Sequence, residues 1–397
     1  MEKAGKKLNI VYAGMQGVYW MDYCMVLSFA AVYLLAKGYS NAEAGVVMAV
    51  SNVLALLIQP VIASLTDKSR RVSILGVLWA LTAITSVFLS VVYFIDARCA
   101  LMTASYALVF SLLIVVQPFM TSLTFTAEAW GVHINYGACR AFGSFAFAVM
   151  AAVMGTVVEK LGARTVPISA LICTVIFVIP LAVFTACDRK NSPVENAARE
   201  APASGILEFF KNNRRFTVFL VGLAFLFATH SMLNNFLILI VNNVGGGSAD
   251  MGILCAYTAL LEVPTMILFD RLTDKFSCSS LLRFSAVMFT VKAFAIFFAK
   301  SIGWLYPALF FQTLSFAIYI PASVRYAMLV VDQKDAVKAQ TFITLTGTIG
   351  SIFSSLLGGV MFDGAGVPVT LLIGAGVSAI GTLLVLLAVV PTARGRG

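Results

Sequence analysis

Charged side chains are scarce in this sequence. Asp, Glu, Lys and Arg make up 11% of its 397 residues, whereas a soluble domain carries roughly 25%. Apolar residues make up 60%, and they form long continuous runs rather than the alternating apolar and polar positions of an outer-membrane barrel. This composition excludes a water-soluble enzyme, a chain with one or two anchors and a barrel, and it predicts a polytopic helical membrane protein.

Histidine is also rare, and the cysteines are scattered. The chain has two histidines and seven cysteines, and the cysteines form no C-x-x-C motif and no close pair. We therefore expect neither a metal site nor a disulfide framework. Small buried side chains are the simplest interpretation of these cysteines.

Twelve apolar runs follow one another along the chain, each about long enough to cross a ~30 Å hydrocarbon core. They lie at residues 8–36, 42–65, 72–95, 100–130, 138–158, 164–187, 216–242, 250–269, 280–300, 303–331, 340–362 and 367–390. The first run is too long for a signal peptide, whose apolar region has about 7–15 residues, so we interpret it as a retained helix. We predict an all-α membrane protein with twelve transmembrane helices in two pseudo-symmetric six-helix bundles.

Basic residues concentrate on one side of this topology. With the N-terminus in the cytoplasm, seventeen Lys and Arg fall in cytoplasmic segments and five in external ones, as the positive-inside rule requires. The net charge of +9 is therefore explained by the orientation of the chain in the membrane, and no nucleic-acid partner is expected. We predict a monomeric multi-pass protein of the cytoplasmic (inner or plasma) membrane with both termini in the cytoplasm.

The longest polar stretch lies near the middle of the chain. It predicts an N-terminal bundle at 1–187, a cytoplasmic linker at 188–215 with a short surface helix at 206–212, and a C-terminal bundle at 216–397.

Two short repeats indicate that the halves are duplicated. Leu-Thr-Asp-Lys occurs at 65–68 and again at 272–275, each time at the end of the second span of its half. Gly143 and Gly155 are matched by Gly347 and Gly359 at the same spacing. Parallel six-helix repeats are a known plan of transporters.

The first repeated loop resembles a family signature. Residues 63–71, Ala-Ser-Leu-Thr-Asp-Lys-Ser-Arg-Arg, resemble the major facilitator superfamily motif G-x-L-x-D-R/K-x-G-R/K, with Ala63 at the first glycine and Arg70 at the second. The copy at 272–277 is weaker. The resemblance implies a conformational latch, with a plain surface turn as the alternative; its residues would be Asp67, Lys68, Asp274 and Lys275.

A narrower resemblance is to the lactose-permease-like, oligosaccharide/proton symporter branch. It rests on Thr-Ala-Glu-Ala-Trp at 126–130 and Tyr-Gly-Ala-Cys-Arg-Ala-Phe-Gly at 136–143. The resemblance implies that Glu128 and Arg140 pair and grip sugar hydroxyls and that Phe147 stacks on the sugar ring. A water-facing helix end is the alternative for Glu128.

The chain also departs from that branch. The Lys, His and Glu series of its tenth span is missing from residues 312–318, and the two acids of its seventh span are replaced by His230 and Leu233. Coupling by the route of that branch is therefore in doubt.

Three ionisable residues lie deep in the apolar runs, where such groups are costly and mark function. They are Asp22, Glu262 and Lys292. Lys292 can pair with either acid but not fully with both, which leaves one carboxylate that a low dielectric favours in its protonated form. We predict proton coupling through these groups, with Asp22 as first choice and Glu262 as second. A structural hydrogen bond at Asp22, or stabilisation by Glu262 of the helix broken at Pro264, is the alternative.

Polar and aromatic residues recur at helical spacing beside these charges. Rings and amides together suit an uncharged, hydroxylated solute. His230 is either a proton carrier or a packing histidine. The predicted substrate-binding residues are Tyr19, Glu128, Arg140, Phe147, His230, Asn234, Asn235 and Gln312.

Taken together, these patterns predict a secondary transporter and no enzyme. We expect proton-coupled import of a small sugar, glycoside or nucleoside-like solute by alternating access. No cofactor is expected; a proton gradient would drive uptake, and sodium stays open. Two alternatives remain, a proton-driven drug or metabolite efflux antiporter and a transport-inactive sensor or scaffold.

Overall fold

The computed structural model describes residues 2–68, 73–95, 97–191 and 205–392. The chain forms two compact units, Met1–Ala197 and Ala198–Gly397. Within the described residues every regular element is helical and no strand occurs.

Seven α-helices occur in the part of the first unit that the structure describes. They are α1 (Glu2–Tyr23), α2 (Ala30–Ala36), α3 (Asn41–Lys68), α4 (Ile74–Phe94), α5 (Ala100–Ala129), α6 (Tyr136–Leu161) and α7 (Thr165–Asn191). A π-helical turn, Cys24–Ser28, joins α1 to α2. Side chains define two of the starts: Ser40 and Glu43 form a capping box before α3, and Ser73 accepts a hydrogen bond from the Gly76 amide at the start of α4.

Ten α-helices occur within residues 205–392, the described part of the second unit. They are α8 (Ile206–Asn212), α9 (Arg214–Asn235), α10 (Leu237–Asn243), α11 (Ser248–Ile267), α12 (Phe269–Lys275), α13 (Cys278–Phe297), α14 (Ile302–Leu314), α15 (Phe316–Val330), α16 (Ala336–Gly364) and α17 (Gly366–Ala388). The short helix predicted at 206–212 is confirmed as α8. Residues 192–204 of the predicted linker lie outside the described ranges, and the residues before them belong to α7.

The number of membrane spans is close to the expectation. In the described part of the chain, ten helical segments, one of them formed by α14 and α15 together, are long and apolar enough to cross a membrane, and α1 with α2, which bend by 46° at the π-helical turn, make an eleventh. The 20-residue helix α11 is not among them. The all-α, multi-pass class is confirmed, and the count of twelve stays a prediction.

Large apolar side chains cover the outside of these helices. Leu57, Ile179 and Leu387 are 61%, 65% and 69% exposed. In water such a surface would be an aggregation hazard, but acyl chains solvate it without cost. Because the acyl chains already solvate this surface, the hydrophobic effect contributes little to helix–helix packing. Small residues must therefore allow the helices to approach each other closely.

Glycines provide this approach in both units. In the first, α1 packs on α6, and a Cβ atom on Gly143 would lie 2.6 Å from Cδ1 of Trp20. In the second, α9 packs on α16, and a Cβ on Gly350 would lie 2.7 Å from Cβ of Phe227. Each unit thus brings its first long helix against a later one across a position that accepts no side chain.

Replacing Gly381 by alanine will destabilise the second unit. Its Cβ would lie 2.8 Å from the carbonyl oxygen of Gly222 and 3.0 Å from the amide nitrogen of Leu226, so α9 and α17 must move apart. Such overpacking costs about 1–3 kcal/mol. The measurement is thermal unfolding of the purified protein in detergent, with a lower Tm expected.

Gly376→Ala is the matched control on the same helix. No atom lies within 4 Å of a Cβ placed there, and alanine favours a helix, so its Tm should equal or exceed that of the parent. Equal Tm values for the two variants would contradict the packing at Gly381.

Candidate functional site

Asp22 lies in the last turn of α1, directly before the π-helical turn. Its side chain is 3% exposed, and its Oδ2 atom lies 2.9 Å from the hydroxyl of Thr174 on α7. Its Oδ1 atom is buried and has no hydrogen-bond partner among the described residues. Because π-helical turns are frequent at functional sites, the position agrees with the role predicted for this acid.

The hydroxyl of Thr174 has two acceptors and one proton. Its Oγ1 atom lies 3.0 Å from the carbonyl oxygen of Ala170 as well as near Asp22, and a hydroxyl donates only once. When Asp22 carries a proton, it can donate to Thr174, and Thr174 can then donate to Ala170. The arrangement therefore satisfies a protonated Asp22 more fully than an ionised one.

A chain of aromatic and amide groups runs along the same helix. The Trp20 indole N–H donates to Oε1 of Gln16 at 3.1 Å, the Gln16 amide donates to the Tyr12 hydroxyl at 3.0 Å, and Tyr12 donates to the carbonyl oxygen of Met120 at 3.1 Å. The guanidinium of Arg140 lies 3.7 Å from the centre of the Trp20 ring. Sequence reasoning missed Trp20, although its i, i+4 spacing from Gln16 was a usable signal.

We predicted that Glu128 and Arg140 pair. Both residues are described, and no ion pair joins them. Arg140 donates to the Ser144 hydroxyl at 2.7 Å, while the Glu128 carboxylate, half exposed at the end of α5, lies 3.5 Å from Nδ1 of His133. Stacking on Trp20 holds the guanidinium against α1, and the acid faces the loop instead. Of the two interpretations of Glu128, the geometry favours the helix-end one.

Two further predicted residues of the first unit take different positions. Tyr19 is buried and donates to the carbonyl oxygen of Leu113 at 2.9 Å, so it ties α1 to α5. Phe147 is half-buried on α6, two turns after Arg140.

Five predicted residues from four helices converge in the second unit. Lys292 on α13 donates to Oε1 of Gln312 on α14 at 2.7 Å, and its Nζ atom lies 3.1 Å from Nδ1 of His230 on α9. The Gln312 amide nitrogen donates to Oε1 of Glu262 on α11 at 2.7 Å. Asn234 reaches the other ring nitrogen of His230 at 3.0 Å. We call these five residues the lysine network.

The lysine network joins opposite charges through an amide. The ammonium of Lys292 is 1% exposed, and among the described residues it makes no direct ion pair. The Gln312 side chain points its carbonyl oxygen at the ammonium and its N–H at the Glu262 carboxylate. The predicted pairing of Lys292 with Glu262 is thus present in a bridged form. The negative end of the amide dipole faces the ammonium, and its positive end faces the carboxylate.

His230 links the charge state of Lys292 to its own tautomer. A protonated lysine donates to Nδ1, which leaves the imidazole proton on Nε2; the Asn234 amide, whose nitrogen faces Nε2 in the structure, must then turn its oxygen towards that proton. A neutral lysine can instead accept from Nδ1–H, and Nε2 then accepts from the amide. Phe316 stacks on the ring at 4.7 Å between centroids, which fixes its plane. His230 therefore serves packing and can also relay a change in protonation.

Asn235 and the predicted latch residues are not members of the lysine network. Asn235 donates to the Ser355 hydroxyl at 3.1 Å and ties α9 to α16. Asp274 and Lys275 are exposed at the end of α12. The side chains of Asp67 and Lys68, and residues 69–72, lie outside what the structure describes, so the latch stays a prediction.

No group of three or more His, Cys, Asp and Glu side chains that could hold a metal ion occurs among the described residues. All seven cysteines are free thiols.

Comparison with known proteins assigns the family. The profile of the MFS_1 like family matches residues 12–373, and the chain belongs to this family. The predicted resemblance to the major facilitator superfamily is confirmed, and the protein is a multi-pass membrane protein of a transporter family.

Curated relatives are similar over nearly the whole chain. The chain is 24% identical over 362 residues to an uncharacterized transporter, YwbF of Bacillus subtilis, covering 89% of this chain and 87% of the relative. It is 22% identical over 357 residues to a maltose permease of Geobacillus stearothermophilus, covering 86% of each.

Solved structures share the fold. The nucleoside transporter NupG superposes with a TM-score of 0.79 at 14% identity, covering 96% of this chain and 98% of NupG. A bacterial homologue of the lysosomal transporter Spinster, inward-facing and unoccupied, superposes with a TM-score of 0.71 at 12% identity, covering 97% and 96%.

Gln312→Leu will destabilise the protein because it removes the acceptor of a buried ammonium. We expect a loss of about 1–3 kcal/mol, measured by thermal unfolding in detergent. Thr313→Val, at the next position, removes only a hydroxyl bond of 3.3 Å to the Leu261 carbonyl and should stay within about 0.5 kcal/mol of the parent.

A double-mutant cycle with Lys292→Met tests the contact itself. With the ammonium gone, Gln312→Leu should cost at least about 0.5 kcal/mol less than in the parent. Equal costs in both backgrounds would show that Gln312 does not stabilise Lys292.

Proposed function

We propose that this protein imports a small sugar, glycoside or nucleoside-like solute together with protons by alternating access. The observation that carries the proton coupling is Asp22: a carboxyl group buried at 3% exposure, held by the single hydroxyl of Thr174. A buried charge without a counter-ion is costly, so this group gains from binding a proton and can release it when its surroundings change.

The proposal places twelve spans in two six-helix bundles, with both termini in the cytoplasm. It counts α11 as a span, because its 20 residues reach across a hydrocarbon core of about 30 Å and the lysine network partners its Glu262. The polar groups of α11 lower its hydropathy for a functional reason. The asymmetry of basic loop residues supports the orientation in the cytoplasmic membrane.

The solute class follows from the donors that the first unit offers. Arg140 presents a planar cation backed by the Trp20 ring, and Phe147 lies on the same helix. Guanidinium N–H groups bind hydroxyl and carbonyl oxygens, and aromatic faces cover the apolar side of a sugar or a base. A maltose permease and a nucleoside transporter among the similar proteins favour neutral, hydroxylated solutes.

The lysine network supplies a second polar site in the C-terminal unit. Asn234 is exposed there and contacts His230, so a solute that bonds to the Asn234 amide would change the partners of His230 and, through it, of Lys292. This coupling gives solute binding a route to the buried charges.

Asp22→Asn will abolish uphill transport while exchange continues. Asparagine keeps the shape of the carboxyl group but cannot carry a proton across the membrane. In proteoliposomes with an inward proton gradient, we expect accumulation of labelled maltose or uridine by the parent and at least a tenfold loss in the variant. Counterflow of the same solute, which needs no net proton movement, should persist.

Asp332→Asn is the control, because this acid is exposed beyond α15. It should accumulate solute like the parent. Full, pH-dependent accumulation by Asp22→Asn would reject Asp22 as the proton carrier, and proton-driven loss of solute from loaded vesicles would indicate the efflux antiporter instead.

Arg140→Lys will weaken solute binding. Lysine keeps the charge but loses the planar stack on Trp20 and the forked donors, so we expect a Kd at least tenfold higher by calorimetry with the solute that the parent transports. Arg164→Lys, in which another arginine over a tyrosine ring is changed, should bind like the parent. An unchanged Kd for Arg140→Lys would place the solute elsewhere.

A further inference from the structure

A small cavity lies beside Asp22 inside the first unit. It offers about 20 Å³ for the centre of a water-sized sphere and is lined by side chains of α1, α4, α5 and α7. One water needs roughly 10–15 Å³ by this measure together with two to four polar partners. The polar residues around the cavity are Tyr19, Asp22, Thr82, Thr85 and Thr174.

Two of the hydroxyl groups in this lining already donate hydrogen bonds to backbone carbonyl oxygens. Tyr19 donates to the carbonyl oxygen of Leu113 at 2.9 Å, and Thr82 donates to that of Leu78 at 2.7 Å. Their oxygens therefore offer lone pairs only. The cavity needs an occupant that donates hydrogen bonds.

Two other polar atoms of the lining are unpartnered within the described chain. Oδ1 of Asp22 and Oγ1 of Thr85 are both buried without a hydrogen bond, and the two side chains are 3% and 1% exposed. Leaving two such atoms unsatisfied costs about 1–3 kcal/mol each. Asp22 can accept, whereas Thr85 can both donate and accept.

We propose that this cavity binds one water molecule, which bridges Oδ1 of Asp22 to Oγ1 of Thr85 and passes the proton to Asp22. The water accepts from Thr85 and donates to Asp22 and to the oxygen of Thr82 or Tyr19, so every group is satisfied. An excess proton on this water, as hydronium, moves to Oδ1 and leaves neutral water and a carboxylic acid. The inference rests on the proposed proton coupling at Asp22, and Thr85 is its positioning residue.

Few other titratable groups face Asp22. On its own helix there is Tyr19, on α7 there is Cys173, and on α6 there is Arg140, which is stacked on Trp20. The contributions of α4 and α5 to the cavity lining are threonines and apolar side chains. A pH effect of changing Thr85 therefore reports on Asp22.

The test compares Thr85→Val with Thr85→Ser in proteoliposomes. Valine keeps the shape without the hydroxyl, so the water loses a partner. We expect the rate of proton-driven accumulation to fall about tenfold in Thr85→Val. Its pH midpoint should move up by roughly half to one unit, because the deprotonated carboxylate loses a bound donor. Thr85→Ser should restore both values. Ser90→Ala, whose hydroxyl donates within α4, is the control and should match the parent.

Counterflow shows that each variant is folded, and Thr85→Ala replaces Thr85→Val if the latter shows none. A parent-like rate and midpoint in Thr85→Val, with accumulation lost in Asp22→Asn, would overturn the water site and leave the proposed function standing. Normal accumulation by Asp22→Asn would remove both. Accumulation driven by a sodium gradient at constant pH, lost in Thr85→Val, would show that the cavity binds a cation and not water.

Discussion

The buried ammonium of Lys292 needs acceptors that an apolar helical bundle does not supply by default. Three helices meet the need together, since α9 and α14 bring His230 and Gln312 to Lys292 on α13, and α11 brings Glu262 to Gln312. Leaving such a group without partners would cost several kcal/mol, so the register of these helices is restricted by one side chain. The amide of Gln312 is central, because it faces a cation on one side and a carboxylate on the other.

The first unit handles its buried charge differently. Asp22 has one hydroxyl partner and lies where α1 changes into a π-helical turn. The lysine network links a cation to a carboxylate through an amide, whereas the other polar side chains that line the cavity beside Asp22 carry hydroxyl groups.

Much of the fold was predictable, and the partners of the site were less so. Helical class and the depth of Asp22, Glu262 and Lys292 follow from runs of apolar residues, since depth depends only on distance along a helix. Glu128 and Arg140 flank one short loop in the sequence, but the direction of each side chain was not predictable: Glu128 lies by His133, and Arg140 donates to Ser144. Thr85 could not be singled out, because hydroxyl residues are common in membrane helices and most bond to their own backbone.

The sequence by itself determined that this chain spans a lipid bilayer, and it determined which few charged residues must be buried. Composition and spacing alone decide how many polar groups leave water. Only the tertiary structure decided which of those groups touch. The rotation of each helix about its axis and the close approach allowed by glycines such as Gly143 and Gly350 bring together side chains that are far apart in the sequence, such as Asp22 and Thr174, which are 152 positions apart. Neither the rotation nor the closeness is encoded in any single segment, since both arise from packing one helix against several others.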